Sequence, residues 1–240
     1  MAQINAVFFD AAGTLFETRE PVGETYARIA REYGVDTTAE AVDAAFRRAF
    51  RAASPLAFGP DRKPEELRRL ERTWWRDLVA QTFDGSGQFS NFDSYFNSLF
   101  EFFSDPAHWA ADPEATPTLK ALREQGLILG VISNFDYRLY RILEGLRLSP
   151  WLESITISSE AGYAKPSPQL FQAALERHRI GPARAIHVGD SEHLDIAGAS
   201  AAGLAAVLIN RGKDMSTTGG IKQISSLAEI IDLVRALDAG

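Results

Sequence analysis

Chemically reactive side chains directly follow three apolar stretches of this 240-residue sequence. Asp10 follows AVFF, Ser133 closes LILGVIS, and Asp190 follows IHVG. A fourth residue, Lys165, stands in the loop-like segment YAKPSP, before a predicted helix. Two carboxylates, a hydroxyl and an ammonium group, in a chain that contains no cysteine, are typical of a site for a hard divalent cation and phosphoryl chemistry.

The second half of the chain alternates between short apolar runs and helical patterns. We predict strands at 6–9, 127–133, 154–158, 184–190 and 205–210, with helices between them and at 195–203 and 225–237. Unbroken apolar strands separated by helices indicate a parallel sheet that is covered on both faces. The predicted fold class is therefore α/β, with a Rossmann-like parallel sheet. Such sheets bind ligands at the carboxyl ends of their strands, where Asp10, Ser133 and Asp190 stand.

Residues 17–112 have a different pattern, in which helices follow one another without a strand. Proline near the first position and glycine after the last are expected helix boundaries. These signals help to define four predicted helices, at 21–34, 38–53, 64–85 and 90–104. Because this segment separates the first strand from the rest of the sheet, it is predicted to be an insertion. The expected organisation is an α/β core formed by 1–16 and 113–240, with a four-helix cap domain at 17–112.

Composition and charge argue against several classes of function. The net charge is −7 and the pI about 5.2, so the chain lacks the basic character of a nucleic-acid-binding protein. It shows neither a signal-peptide pattern nor an apolar stretch long enough to span a bilayer. We therefore expect a cytoplasmic protein that acts on a small molecule and binds neither nucleic acid nor membrane. The sequence indicates no particular oligomeric state.

These segments, taken in order along the chain, resemble the four motifs of the haloacid dehalogenase superfamily. The first motif, D-x-D-G-T after a strand, is matched by Asp10-Ala11-Ala12-Gly13-Thr14, and the second, a Ser or Thr after a strand, by Ser133. The third, a Lys often followed by Pro-x-Pro, is matched by Lys165-Pro166-Ser167-Pro168, and the fourth, G-D-x-x-x-x-D, by Gly189-Asp190 and Asp195. The resemblance covers essentially the whole chain, and a helical cap inserted after the first motif is a known arrangement in that superfamily.

The resemblance implies a covalent mechanism with a metal ion. Asp10 would attack phosphorus and form an aspartyl-phosphate, which divides one difficult displacement into two. A Mg²⁺ ion would be held by the carboxylates of Asp10 and Asp190 and by the backbone carbonyl of Ala12, which does not depend on the side chain there. Asp195 would orient metal-bound water or the loop of the first motif.

The same resemblance implies how a phosphoryl group is bound. Lys165 would neutralise charge between Asp10 and the phosphoryl group, while Ser133, with Asn134 beside it, would bind phosphoryl oxygens. The expected activity is that of a magnesium-dependent phosphatase acting on a small phosphorylated metabolite.

Ala12 departs from the superfamily's pattern. In the superfamily's phosphatases this position is an Asp that protonates the leaving oxygen and then activates the water that hydrolyses the phosphoenzyme. An acid–base group of this kind is worth roughly 10²–10⁴ in rate, so slow turnover is expected unless another group, from the cap or from the substrate, substitutes. Asp136, in SNFD, is a candidate substitute acid, but the favoured interpretation is an N-cap of the following helix.

Two other kinds of function stay open. One is a catalytically impaired protein that keeps the site as a ligand pocket. The other is a dehalogenase or a phosphonate-cleaving enzyme, in which the second Asp is absent. The 2-haloacid dehalogenases need no magnesium and carry neutral residues in the fourth motif, so the intact Gly189-Asp190 pair argues against them. The phosphonate-cleaving enzymes form a Schiff base through a cap lysine, whereas Lys63, the only lysine in 17–112, stands in a loop-like segment.

Overall fold

The structure, a computed structural model, describes residues 3–85, 87–212 and 221–238. Its strands are β1 (Ala6–Phe9), β2 (Phe16–Thr18), β3 (Trp109–Ala111), β4 (Ile128–Ser133), β5 (Ser154–Ile157), β6 (Ala185–Gly189), β7 (Ala205–Ile209) and β8 (Lys222–Ile224). Its helices are α1 (Val22–Glu32), α2 (Ala39–Ala52), α3 (Pro64–Thr82), α4 (Phe92–Phe102), α5 (Ala115–Glu124), α6 (Arg138–Gly145), α7 (Ser158–Ala161), α8 (Pro168–His178), α9 (Ala197–Ala201) and α10 (Glu229–Asp238). The shorter helical turns are Pro106–His108, Ser149–Trp151 and Pro182–Arg184, which are 3₁₀-helical, and Glu192–Ile196, which is π-helical.

Six of these strands form one parallel sheet, in the order β5-β4-β1-β6-β7-β8. Alternate residues of β1 point to opposite faces, as the two-residue period of a strand requires. Val7 and Phe9 belong to one apolar core, and Ala6 and Phe8 belong to another. All four side chains are completely buried. The predicted α/β fold, with a parallel sheet covered on both faces, is therefore confirmed.

Helices α1–α4 lie between β2 and β3 in the chain, and they pack around a core of their own. That core is largely aromatic, and its buried residues include Tyr26, Phe83, Tyr95, Phe96 and Phe100. Helix α3 begins at Pro64, the proline that is expected to start it. This arrangement fits the cap domain predicted at 17–112, whose limits stay a prediction.

A two-stranded antiparallel ribbon joins α1–α4 to the sheet. Strand β2 pairs with β3, with Phe16 opposite Ala111 and Thr18 opposite Trp109. The sequence pattern does not predict this ribbon, because strands of three residues are too short to show a clear alternation. The ribbon places the start and the end of the helical segment side by side, close to the turn that follows Asp10.

Two helices late in the chain are shorter than predicted. The helix expected over 195–203 is α9, and before it comes the π-helical turn, where the Ser191 hydroxyl accepts the N–H of Leu194. The helix expected over 225–237 begins only at Glu229, whose carboxylate accepts both the backbone N–H and the hydroxyl of Ser225. Among the described residues, no helix is both long and apolar enough to cross a membrane.

Candidate active site

The carboxyl ends of three neighbouring strands bring predicted site residues together. Strand β1 lies between β4 and β6. Asp10, which follows β1, therefore stands between Ser133, the last residue of β4, and Asp190, the first residue after β6. The backbone N–H of Asp10 donates to the carbonyl of Val188 at 2.8 Å, so the hydrogen-bonded sheet continues up to the acid itself. The order of the strands thus produces the convergence expected from the sequence.

A tight turn follows Asp10 at the same edge of the sheet. The carbonyl of Ala11 accepts the N–H groups of Thr14 and Leu15, at 3.2 and 2.8 Å. Gly13 has a φ of +88°, a conformation that favours glycine, and a Cβ there would lie 2.6 Å from Oδ2 of Asp190. Asp190 therefore packs directly against this turn, which we call the Asp10 turn and define as residues 10–15.

Lys165 contacts the carboxylate of Asp10 from a distant part of the chain. Its ammonium group donates to Oδ1 of Asp10 and to Oδ1 of Asp195, both at 2.6 Å, and all three side chains are buried. Burial by itself would lower the pKa of Lys165, but the charges of Asp10 and Asp195 outweigh it and raise that pKa above its ordinary value. Lys165 therefore stays protonated and holds one oxygen of Asp10 in place.

Asn134 holds the backbone of Lys165. Its side-chain oxygen accepts the N–H of Lys165 at 2.7 Å, and its side-chain amide donates to the Lys165 carbonyl at 3.0 Å. Both polar groups of this side chain are thus engaged within the protein. The phosphate-binding role expected of Asn134 and of the buried Ser133 beside it stays a prediction. The structure adds a second role, in which Asn134 ties the loop of Lys165 to the end of β4.

His187 belongs to the site, although the spacing of the histidines does not indicate a role for it. Its Nε2 lies 2.8 Å from Oδ1 of Asp195, and the Ser191 N–H donates to Oδ2 of Asp195 at 3.1 Å. Burial raises the pKa of Asp195, but the charge of Lys165 and the hydrogen bond of His187 outweigh it and hold the pKa below its ordinary range. Since Asp195 is ionised, Nε2 must carry the proton. The sequence does contain one sign of this role, because His187 is a polar residue inside the apolar run AIHVG. The structure shows that run as strand β6, in which His187 is completely buried.

Three carboxylates meet at this edge of the sheet. Ligand oxygens of Asp10, Asp190 and Asp195 lie within 4.8 Å of one another, and Lys165 places one positive charge beside them. Asp190 is exposed as a residue, yet desolvation of its carboxylate by the surrounding protein, followed by the charges of Asp10 and Asp195, raises its pKa to about 6. A divalent cation neutralises such a surplus of negative charge on hard oxygen donors. The cluster could therefore hold a metal ion, with the Ala12 carbonyl on the adjoining turn.

Asp136 does not offer the free carboxylate that a substitute general acid needs. It is completely buried, and both oxygens accept from the guanidinium of Arg138, at 2.6 to 3.2 Å. It also accepts from Nε1 of Trp75 at 2.6 Å. Its Oδ1 accepts the backbone N–H of Arg138, the first residue of α6, at 2.9 Å, from one position before the cap residue Tyr137. The geometry favours a structural role at the start of α6 over the catalytic one.

Known proteins match between about half and nearly all of this chain. A family described as haloacid dehalogenase-like hydrolase matches residues 4–203. The chain is 36% identical to haloacid dehalogenase-like hydrolase domain-containing protein 3 of Mus musculus, over 98% of this chain and 94% of that protein. It is also 36% identical to glyceraldehyde 3-phosphate phosphatase of Methanopyrus kandleri, over 52% of this chain and 57% of that protein. The solved structure of L-2-haloacid dehalogenase from Xanthobacter autotrophicus has a TM-score of 0.73 at 17% identity, covering 98% of this chain and 100% of the other, which is a likeness of fold alone.

Proposed function

The chain belongs to the haloacid dehalogenase-like hydrolases, and we propose that it is a magnesium-dependent phosphohydrolase of a small phosphorylated metabolite. Catalysis would proceed through an aspartyl-phosphate on Asp10. The observation that supports this most strongly is the Lys165 ammonium group, which lies 2.6 Å from both Asp10 and Asp195. It holds a buried carboxylate, ready to act as a nucleophile, beside a cluster of oxygen donors that fits a divalent cation.

In the first step, the oxygen of Asp10 that Lys165 does not hold attacks the phosphorus of a phosphate monoester. A bond forms between that oxygen and phosphorus, the bond from phosphorus to the ester oxygen breaks, and the ester oxygen leaves with the bonding electrons and takes a proton from water, since Ala12 offers no acid. Lys165 and Ser133 stabilise the charge on the phosphoryl oxygens. Asp10, Asp190 and the Ala12 carbonyl would hold a Mg²⁺ ion, whose charge adds to that stabilisation.

In the second step, water splits the aspartyl-phosphate, phosphate is released, and Asp10 regains its carboxylate. This step needs a base for the attacking water, and the position that holds that base in the superfamily's phosphatases is Ala12 here. Asp136 does not take its place, because both of its oxygens are bound by Arg138. Both steps lack that acid–base group, but the base is needed most for hydrolysis of the acyl phosphate, so we expect the second step to be the slower one and the phosphoenzyme to accumulate.

Three features support phosphoryl chemistry over the alternatives. Asp190 is retained beside the Asp10 turn, whereas the dehalogenases carry a neutral residue in that motif. Lys63 is exposed just before α3, while a Schiff-base amine is typically activated by desolvation. The relative in Methanopyrus kandleri is named as a phosphatase. Ala12 supports one second candidate, a protein that binds a phosphorylated ligand with little turnover.

Replacement of Ala12 tests this proposal. Ala12→Asp places a carboxyl group two residues after Asp10, at a half-buried position of the turn, and leaves the backbone carbonyl unchanged. We expect steady hydrolysis of a generic phosphate ester with Mg²⁺ to rise by about 10²-fold. Ala12→Asn is the matched control, because it has the same shape without the acid–base function, and it should not produce this increase.

The unmodified protein should show a rapid first turnover followed by slow release of phosphate. If it already hydrolyses the ester as fast as Ala12→Asp does, Ala12 does not limit catalysis. If it binds phosphate esters with Mg²⁺ but neither form releases an alcohol, the ligand-binding candidate is favoured instead.

A further inference from the structure

Arg211 lies two residues after β7, outside the four motif-like segments, yet it contacts the Asp10 turn directly. Its Nη1 donates to the carbonyl of Gly13 at 2.7 Å, and its Nη2 donates to the carbonyl of Thr14 at 2.8 Å. The same Nη2 donates to Oδ2 of Asp112 at 2.7 Å. One guanidinium group thus binds two successive carbonyls and a carboxylate.

The two carbonyls belong to the residues that follow Ala12, whose own carbonyl is the proposed metal ligand. Gly13 lacks a Cβ, so its backbone is less restricted than that of any other residue type. A guanidinium group has a rigid, planar set of donors that can bind both carbonyls at once, whereas the ammonium group of a lysine is a single point of charge. Arg211 therefore adds a restraint on the Gly13 and Thr14 carbonyls to the hydrogen bonds that the N–H groups of Thr14 and Leu15 make within the turn.

Asp112 extends this restraint to the ribbon that joins α1–α4 to the sheet. Asp112 directly follows β3, and its backbone N–H donates to the carbonyl of Leu15 at 2.9 Å. Its Oδ1 accepts the N–H of Glu114 at 2.8 Å, which fixes the side chain. The Asp10 turn is thus held from two sides, by Arg211 after β7 and by Asp112 after β3.

We propose that Arg211 is a positioning residue, which orients the Asp10 turn so that the Asp10 carboxylate and the Ala12 carbonyl face one metal ion. That the turn binds Mg²⁺ rests on the proposed function, whereas the ordering of the turn by Arg211 rests on the hydrogen bonds of that side chain. Removal of a residue that hydrogen-bonds to the ligands of a metal ion typically weakens the affinity for that ion by about 10- to 100-fold. Metal affinity and order of the turn can be measured separately.

The experiment compares Arg211→Met with Arg123→Met. Arg123 is a matched control, because its side chain is 40% exposed, against 39% for Arg211, and because it also pairs with an acid, Glu153. Arg211→Met should weaken Mg²⁺ binding by about 10-fold or more in calorimetric titration of the metal-free protein. It should also speed hydrogen exchange at the amides of residues 13–16 when no metal is present. Arg123→Met should change neither quantity.

The two readouts separate the failure of this inference from the failure of the proposed function. Unchanged Mg²⁺ affinity or unchanged exchange in Arg211→Met would overturn the positioning role. If the unmodified protein binds no Mg²⁺, the proposed function fails, and the exchange measurement alone then decides whether Arg211 orders the turn. Should Arg211→Met fail to fold, Arg211→Lys takes its place, since it keeps the charge without the planar donors. Wild-type affinity and exchange in Arg211→Lys would likewise overturn the proposal.

Discussion

Glu71 is a buried carboxyl group whose ionisation should cost the protein stability around and above neutral pH. It lies within α3, completely shielded from solvent, and neither carboxyl oxygen has a hydrogen-bond partner among the described residues. Burial raises the pKa of Glu71 to about 7. The nearby Ser159 hydroxyl lowers this pKa in part, whereas the negative charge of Asp136 raises it. Glu71→Gln keeps the shape of the side chain and cannot ionise.

The magnitude follows from the displacement of the pKa. The ordinary pKa of Glu71 is 4.5, and a folded-state pKa of about 7 means that ionisation in the folded protein costs about 3 kcal/mol more than in the unfolded chain. The protonated side chain therefore favours the folded state fully below pH 4.5. This contribution is lost as the pH rises to about 7, because the unfolded chain releases its proton first. Glu71→Gln should abolish that loss.

Urea unfolding of both proteins, at about pH 5 and about pH 9, measures this difference. From the lower to the higher pH, the free energy of unfolding of the unmodified protein should fall, relative to that of Glu71→Gln, by most of the about 3 kcal/mol. Glu65→Gln, at an exposed position of the same helix, is the control and should show no such gain. The same pH dependence in all three proteins would refute the assignment of Glu71 as a carboxyl group that is protonated because it is buried.

Two further predictions concern the site. Because Asp190 must be ionised to bind a cation and its pKa is raised to about 6, Mg²⁺ affinity should increase as the pH rises through about 6 and then level off; a calorimetric affinity that is flat from about pH 5 to about pH 7 would contradict this. His187→Phe should slow phosphoenzyme formation about 10-fold in rapid-quench experiments, because Asp195 loses the hydrogen bond that orients it. His187→Gln can still donate one and should recover part of the rate, whereas an unchanged rate in His187→Phe would show that His187 only fills space.

The core of the fold could be predicted because its central strands are mostly apolar runs that are followed by a polar residue. In β1 the prediction needed only AVFF and the acid after it, since a strand buried on both faces is typically a near-continuous apolar run. The approach of Asp10, Ser133 and Asp190 then follows from the shared carboxyl edge of a parallel sheet. Lys165 lies in a loop, and its expected place beside Asp10 came from the resemblance to a known family.

Contacts that depend on the packing of distant segments could not be predicted. Glu71 stands in LRRLERT, where an acid is typical of a solvated helix face, and it is buried although nothing in its own segment indicates this. Arg211 binds backbone carbonyls, which every residue possesses, so the identity of its partners leaves no mark on the sequence. Asn134 uses its amide on the backbone of Lys165, 31 positions away, for the same reason.

The formation of a covalent phosphoenzyme on Asp10 is the most direct test of the proposed mechanism. The unmodified protein is mixed with Mg²⁺ and a small phosphate ester, quenched in acid at short times, and analysed by mass spectrometry of the intact chain and of its peptides. The mechanism predicts that one phosphoryl group accumulates on the peptide that contains Asp10, with an amplitude approaching one per chain, and that Asp10→Asn carries none. Release of alcohol without a phosphorylated chain, or a phosphoryl group that still forms in Asp10→Asn, would contradict it.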